Sequence, residues 1–282
     1  MNTPNCQLAL DQLRARARQW KVTIEETWET SGSVLSFGVR GGSRVVLKIT
    51  KQQGDEWHAG EVLRAFDGHG TVKVYESDAG AVLLERLDPG EQLVQLVRRG
   101  EDSQATEILA QIMQQMAGHT APDHCPTILD WARGFDRYLD TGDQQIPQDL
   151  VNEARDLYQT LAASQRGPML LHGDLQHYNV LFDSNRGWVA IDPKGVVGKR
   201  EYEVGAMLRN PVEQPDLFTS PATIERRLDR LANNLNLDYE RALSWAFAEA
   251  VLSAIWDVED GYRVKPDHQA LRLAHTIKPL LR

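Results

Sequence analysis

The sequence has only two cysteines, Cys6 and Cys125, far apart in the chain. They cannot frame a disulfide network, and their spacing is not that of a cysteine metal site. Such sparing use suits a reducing, cytoplasmic setting. Long apolar runs are also missing. The most apolar helical pattern, Ala242–Trp256, is interrupted by Glu249 and is too short to span a bilayer. The first twenty residues lack the apolar core of a signal peptide. Basic excess is absent as well: the formal net charge is −9 at pH 7. A nucleic-acid binder shows the opposite sign. No partner of either kind, membrane or nucleic acid, is therefore expected. Nor is there a GxGxxG or Walker phosphate loop.

What is present can fold. The 282 residues suit one large domain or two lobes. An apolar fraction of 41% with 25% charged residues supports a core rather than disorder. Acids and bases balance across residues 1–87, so the whole negative excess lies in 88–282. An acidic half of this kind attracts a cationic small molecule. Plain solubility is the alternative.

The chain is organised around Leu170–Val180, LLHGDLQHYNV, and the nearby Val189-Ala190-Ile191-Asp192. Apolar runs at Met169–Leu171 and Val180–Phe182 read as buried strands. They deliver a polar loop containing His172, Asp174, His177 and Asn179. The spacing H-x-D-x-x-x-x-N, then an apolar strand and Asp, matches phosphoryl-transfer chemistry. On that pattern Asp174 would stand beside the acceptor hydroxyl. Asn179 and Asp192 would supply hard oxygens for Mg²⁺, with ATP phosphates completing its shell. A polar hairpin turn would explain HxD alone, but not the whole set in order.

Upstream, Gln7–Trp20 has helical spacing with Leu10, Leu13, Ala17 and Trp20 on one face. Strands are predicted at Val22–Thr30, Val34–Val39 and Arg44–Thr50, with a turn at Thr30–Ser33 and another at Gly41-Gly42. The first turn, ending at Ser33, is a candidate to lay backbone N–H groups on phosphates. Lys48, on the third strand, is the candidate phosphate-binding lysine; an edge-strand lysine is the alternative. A helix is predicted at Gly54–Phe66, with Glu56 chosen over Glu61 as the partner of Lys48. Strands at Thr71–Glu76 and Ala81–Leu84 lead to a break at Pro89-Gly90. Glu85 and Leu87 would form a hinge that meets adenine through the main chain. The N-lobe is thus expected over 1–87 and the C-lobe over 88–282.

Helices are then expected at Gln104–Gly118, Asp130–Asp140 and Leu150–Ser164, with an exposed polar loop at Thr141–Pro147. Seventeen residues separate Asp192 from Asn210-Pro211, too few for a long phosphorylatable loop. Gly173 stands where protein kinases carry the arginine that such a phosphate engages. A small-molecule acceptor is therefore expected. Thr223–Leu235 is amphipathic, and Tyr239–Trp256 reads as a buried central helix. It runs into Trp256, Asp257 and Glu259, an aromatic with carboxylates, which suits a cationic ligand. A charged helix end is the alternative.

HGDLQHYNVLF, VAIDPKGVVGKREYEVGAMLRNP and AFAEAVLSAIWDVEDG resemble the aminoglycoside phosphotransferases, nearest the streptomycin 6-kinase and hydroxyurea-kinase group. The resemblance runs from about Val34 to the end. It implies an α+β, protein-kinase-like bilobal fold, with a β-rich N-lobe and a mainly helical C-lobe. The implied reaction moves a phosphoryl group from ATP to an aminoglycoside hydroxyl. Asp174 would be catalytic, and Asn179 and Asp192 would bind Mg²⁺. Lys48 and Glu56 would serve the ATP phosphates, and His172 would buttress the loop. A monomer is expected. Gln176, Tyr178 and Glu203 depart from the group's usual residues; Glu203 stands where an aspartate braces the catalytic loop. A metabolic kinase for an amino alcohol or sugar, and a nucleotide-binding pseudokinase, are the competing readings.

Overall fold

The computed structural model describes residues 4–281. Helix α1 (Pro4–Gln19) buries Ala9, Leu13 and Ala17, spaced for one face. That face packs on one side of a five-stranded antiparallel sheet. The strands are β1 (Thr23–Glu29), β2 (Ser33–Arg40), β3 (Ser43–Thr50), β4 (Val74–Asp78) and β5 (Ala81–Glu85), in the order β1-β2-β3-β5-β4. Strand alternation sends Leu47 and Ile49 of β3 towards α1, and Val46 and Lys48 to the opposite face. Lys48 thus owes its direction to the pleat. It is not an edge residue, because β3 pairs on both sides, with Leu35 and Val82 opposite Lys48.

The helix expected from Gly54 begins differently. Asp55–His58 is a 3₁₀ turn, and α2 (Ala59–Phe66) follows. Trp57 accounts for the change. Its backbone carbonyl accepts from Gly80 N at 2.8 Å, and a Cβ on Gly80 would lie 2.6 Å from the Trp57 ring. The turn is drawn onto the β4–β5 hairpin, where only glycine fits at φ +71°.

The remainder is mainly helical. It comprises β6 (Pro89–Gln92), α3 (Val94–Arg98), α4 (Asp102–Gln115), α5 (Ile128–Thr141) and α6 (Gln148–Ala163). Strands β7 (Met169–Leu171), β8 (Val180–Asp183), β9 (Gly187–Ala190) and β10 (Val196–Gly198) follow. Helices α7 (Arg200–Leu208), α8 (Pro215–Phe218), α9 (Pro221–Leu235), α10 (Tyr239–Glu259) and α11 (Gln269–Ile277) complete it. Helix α10 is buried over most of its length, and Trp245 packs edge-on against Tyr158 and Tyr202. No helix among the described residues is long and apolar enough to cross a membrane.

The segment Thr141–Pro147 is mostly exposed, as expected, but Ile146 within it is fully buried, and its N–H donates to Tyr138 Oη at 2.7 Å. A buried phenol that needs partners pulls the loop inward.

The amphipathic stripe of α9 also hides a charge. Arg227, 2% exposed, lies within the stripe and donates from Nε to Asp102 Oδ1 at 3.1 Å. Its Nη1 donates to the carbonyls of Met207 and Asn210, which spreads the charge over α4, α7 and the following turn. Nearby His177 is fully buried, and its ring has no hydrogen-bond partner among the described residues. Burial and then the Arg227 charge push its pKa down to about 3, so the ring is neutral at physiological pH. Removing one member of a buried pair strands the other. Asp102→Ala should therefore lower unfolding stability by about 3–5 kcal/mol. Glu107→Ala, which breaks the exposed pair with Arg230, should cost less than about 1 kcal/mol. Urea denaturation of the two variants checks the contrast.

Candidate active site

Strand β7 ends at Leu171, and the loop from His172 to Asn179 follows before β8. Glu203, on α7, anchors this loop from below. Its carboxylate accepts from the backbone N–H groups of His172 at 2.8 Å, Gly173 at 3.0 Å and Leu175 at 3.2 Å. The longer glutamate stem still reaches the loop. His172 is buried and uses both ring nitrogens: Nδ1 accepts from Asp174 N at 3.3 Å, and Nε2 bonds Ile191 O at 2.9 Å. That pairing needs the proton on Nε2, and burial lowers the ring's pKa. Gly173 has φ +80°, and a Cβ there would lie 2.8 Å from Trp131 Cη2, so an arginine would not fit.

Asn179 Nδ2 donates to Asp174 O at 2.9 Å and to Asp174 Oδ2 at 3.1 Å. The backbone tie of Ile191 N to Asn179 O, 2.8 Å long, brings Asp192 alongside. Asp192 has φ +55°, a left-handed conformation uncommon for a residue with a side chain. Its Oδ1 lies 2.9 Å from Lys48 Nζ, and Glu56 Oε2 lies 2.7 Å from the same nitrogen. Burial acts to lower the Lys48 pKa, but Asp192 and Glu56 outweigh it, and the net shift is upward. Lys48 is thus a charged ammonium held between the sheet, the α2 entry turn and the β9 exit.

Beside these groups lies a cavity of about 720 Å³, lined by Lys48, Leu84, Glu85, Leu87, Ile191 and Asp192 among others. Its walls are the open face of the sheet on one side and β6 with Leu181 and Ile191 on the other. The Glu85 carboxylate accepts from Lys73 N at 2.8 Å and pairs with Arg186, and its own N–H donates to Lys73 O at 3.0 Å, so neither its side chain nor its N–H is open to a ligand. Ser33 is elsewhere: it is buried, outside this lining, and its N–H donates to Thr30 Oγ1 at 3.0 Å.

Residues 19–261 match the family model described as aminoglycoside/hydroxyurea antibiotic resistance kinase. The chain belongs to that family. A streptomycin 3''-kinase of Klebsiella pneumoniae is 30% identical over 249 residues, covering 86% of this chain and 91% of that protein. A hydroxyurea phosphotransferase of Kitasatospora aureofaciens is 31% identical over 240 residues, covering 81% of this chain and 66% of the relative. A thermostable mutant of aminoglycoside phosphotransferase APH(4)-Ia, solved with AMP-PNP and hygromycin B, superposes with a TM-score of 0.69 at 16% identity. That alignment covers 94% of this chain and 97% of the other, and it shows the protein-kinase-like fold. The protein is a kinase.

Around this resistance-kinase core the remaining candidates separate. Trp256 packs edge-on against Trp131 at 5.6 Å, and Lys194 Nζ lies 5.4 Å from its ring centroid. Since Trp131 abuts Gly173, this aromatic pair borders the loop. Asp257 instead faces His268 at 3.3 Å, and Glu259 holds Arg137 through two bonds of 2.8 and 3.0 Å. Arg209 and Glu249 escaped the sequence reading. Arg209 Nη2 lies 3.4 Å from Asp174 Oδ1, and Nη1 lies 2.6 Å from Glu249 Oε1. A glutamate inside an apolar helix and a glycine inside α7 were the available signals. A Cβ on Gly205 would fall 1.8 Å from Glu249 Oε2.

Burial pushes Glu203 up to about 8, against the pull of its N–H donors and helped by nearby Glu249. An unfolded glutamate titrates near 4.3. The folded chain therefore binds this proton more tightly. Its contribution to stability should be full below about pH 4 and lost as pH rises through about 8. Glu203→Gln should flatten that decline, and urea midpoints measured across the range for both proteins test it. Parallel slopes would contradict the assignment.

Proposed function

We propose that the protein transfers the γ-phosphoryl group of ATP to a hydroxyl of an aminoglycoside such as streptomycin, which inactivates the antibiotic. The observation that carries this reading is the meeting of Asp174, Asn179, Asp192 and Lys48 beside a nucleotide-sized cavity. Asp174 orients the acceptor hydroxyl and receives its proton as oxygen bonds to phosphorus and the bond to ADP breaks. Lys48, fixed by Glu56, meets the phosphates. Glu85 and Leu87 face adenine through their main chains. Ser33 would act only if the β1–β2 turn folded over the cavity. The donor set at Asn179 and Asp192 is all hard oxygen, as Mg²⁺ requires. Bound there, Mg²⁺ would neutralise charge on the phosphates. The lobes divide at Leu87–Asp88.

The acceptor lies on the acidic, C-terminal side. Trp256 and Trp131 supply an aromatic wall next to Gly173. Asp257 and Glu259 would receive cationic groups by exchanging them for His268 and Arg137. We also place the protein in the cytoplasm, as a monomer.

Coupled ADP release over a panel of aminoglycosides and hydroxyurea tests the reading. Streptomycin should stimulate turnover. Asp174→Ala should lose about 10²–10⁴-fold in rate while still binding nucleotide. Asp192→Ala should lose Mg²⁺-dependent nucleotide binding. Stimulation by hydroxyurea alone, or by no member of the panel, would overturn the aminoglycoside assignment.

A further inference from the structure

A second cluster of ligating side chains lies outside the phosphoryl-transfer site. His58 closes the 3₁₀ turn before α2, and Glu61 stands three residues on, on the same face. His124 comes from the connection 116–127 between α4 and α5. The two segments meet because both pack on one glycine: a Cβ on Gly195 would touch Val62 of α2 at 2.5 Å and Cys125 Sγ at 3.4 Å. Glu61 bridges the imidazoles, with Oε1 2.9 Å from His58 Nδ1 and Oε2 3.4 Å from His124 Nδ1. The two rings stand 4.4 Å apart, tilted by 42°. One ligand atom from each of the three residues falls within 4.8 Å of the others.

We infer that His58, Glu61 and His124 form a binding site for Zn²⁺ that clamps α2 to the α4–α5 connection. Two imidazoles and a carboxylate are the ligands of an open tetrahedral zinc site, with water in the fourth position. Bonds of about 2.0–2.1 Å set neighbouring tetrahedral ligands about 3.3 Å apart. The two carboxylate–imidazole separations, 2.9 and 3.4 Å, are already near that and the third lies within 4.8 Å, so side-chain rotations would admit the ion. Nitrogen donors favour Zn²⁺ over Mg²⁺, which separates this site chemically from the all-oxygen set at Asn179 and Asp192. All three side chains are partly exposed, so the ion has a route in and out. His58 is two residues from Glu56, so an ion here restrains the turn that holds Lys48. The site does not depend on which acceptor the enzyme phosphorylates.

The test is calorimetric titration of the chelator-stripped, full-length protein with Zn²⁺ in saturating Mg²⁺. One equivalent should bind and should raise the unfolding midpoint. His58→Ala and His124→Ala should each weaken binding more than about a hundredfold, beyond the loss that outer-shell changes cause. Both should also abolish the shift in midpoint while leaving the metal-free protein folded, as circular dichroism reports. Co²⁺ in place of Zn²⁺ should give the visible bands of a four-coordinate ion in the parent protein only. Substoichiometric binding, or binding that survives both substitutions, would overturn the site and leave the cluster as a hydrogen-bonded carboxylate between two histidines.

Discussion

A buried ammonium is the constraint on which this architecture turns. Lys48 is 5% exposed, and an uncompensated charge at that depth would cost several kcal/mol. The sheet cannot neutralise it, because its own backbone groups are spent on ladder pairing. Two carboxylates from different parts of the chain do so, Glu56 from the turn before α2 and Asp192 from beyond β9. Satisfying one lysine therefore fixes where the helical part of the molecule sits against the sheet. The backbone ties run the same way, for Val72 N donates to Ala190 O at 2.9 Å. The left-handed Asp192 is the local strain that this convergence sustains.

The loop after β7 is assembled on a comparable principle, with carboxylate and imidazole substituting for regular backbone pairing. Glu203 takes three N–H groups that neither strand nor helix would satisfy, and His172 links the loop to the β9 exit. Behind them, Arg209 stands between Asp174 and Glu249, so the negative charge near Asp174 is balanced from inside the protein. Burial raises the pKa of Glu249 and Arg209 opposes that rise. The helix that carries Glu249 must approach α7 closely, which is why Gly205 is tolerated in a helix interior despite its entropic cost.

Much of this was legible because it repeats at short range. The alternation in β3 and the apolar faces of α1, α9 and α10 follow from local period, and the His172–Asp192 spacing follows from a single loop. Glu56 is preferred over Glu61 on helical spacing to Leu63, and Lys48 does contact Glu56, though from the 3₁₀ turn that precedes α2 and not from a helix. Elements β6, α3 and β10 were not legible, since three to five residues show no period. Helix α11 was also missed. The direction of Ser33 N–H was not legible, because a Gly/Ser turn looks the same whether its N–H groups face a ligand or, as here, Thr30 of its own chain. The present partners of Asp257 and Glu259 were not legible for a related reason: which group a carboxylate meets, His268 or Arg137, is chosen by tertiary packing. Arg227 was invisible because it sits among the apolar residues of its own helix, and Asp102 is remote in sequence.

The segment after Asp192 shows what its brevity accomplishes. In a kinase whose activity is gated, that stretch is long and must be ordered by a new charge. Here the N–H groups of Lys194 and Gly195 both donate to His172 O at 3.0 Å. Val196–Gly198 then pairs antiparallel with Met169–Leu171, the strand that delivers the loop. Thus the chain leaving the site is the structural partner of the chain entering it. Opening that segment would break the β7–β10 ladder and unseat His172 at once. A switch needs two arrangements of similar energy, and a second one here would have to replace both the ladder and the bonds to His172 O. Gly173, pressed against Trp131 at positive φ, leaves no room for an arginine to read such a switch. The geometry couples the exit from Asp192 directly to the strand that presents Asp174.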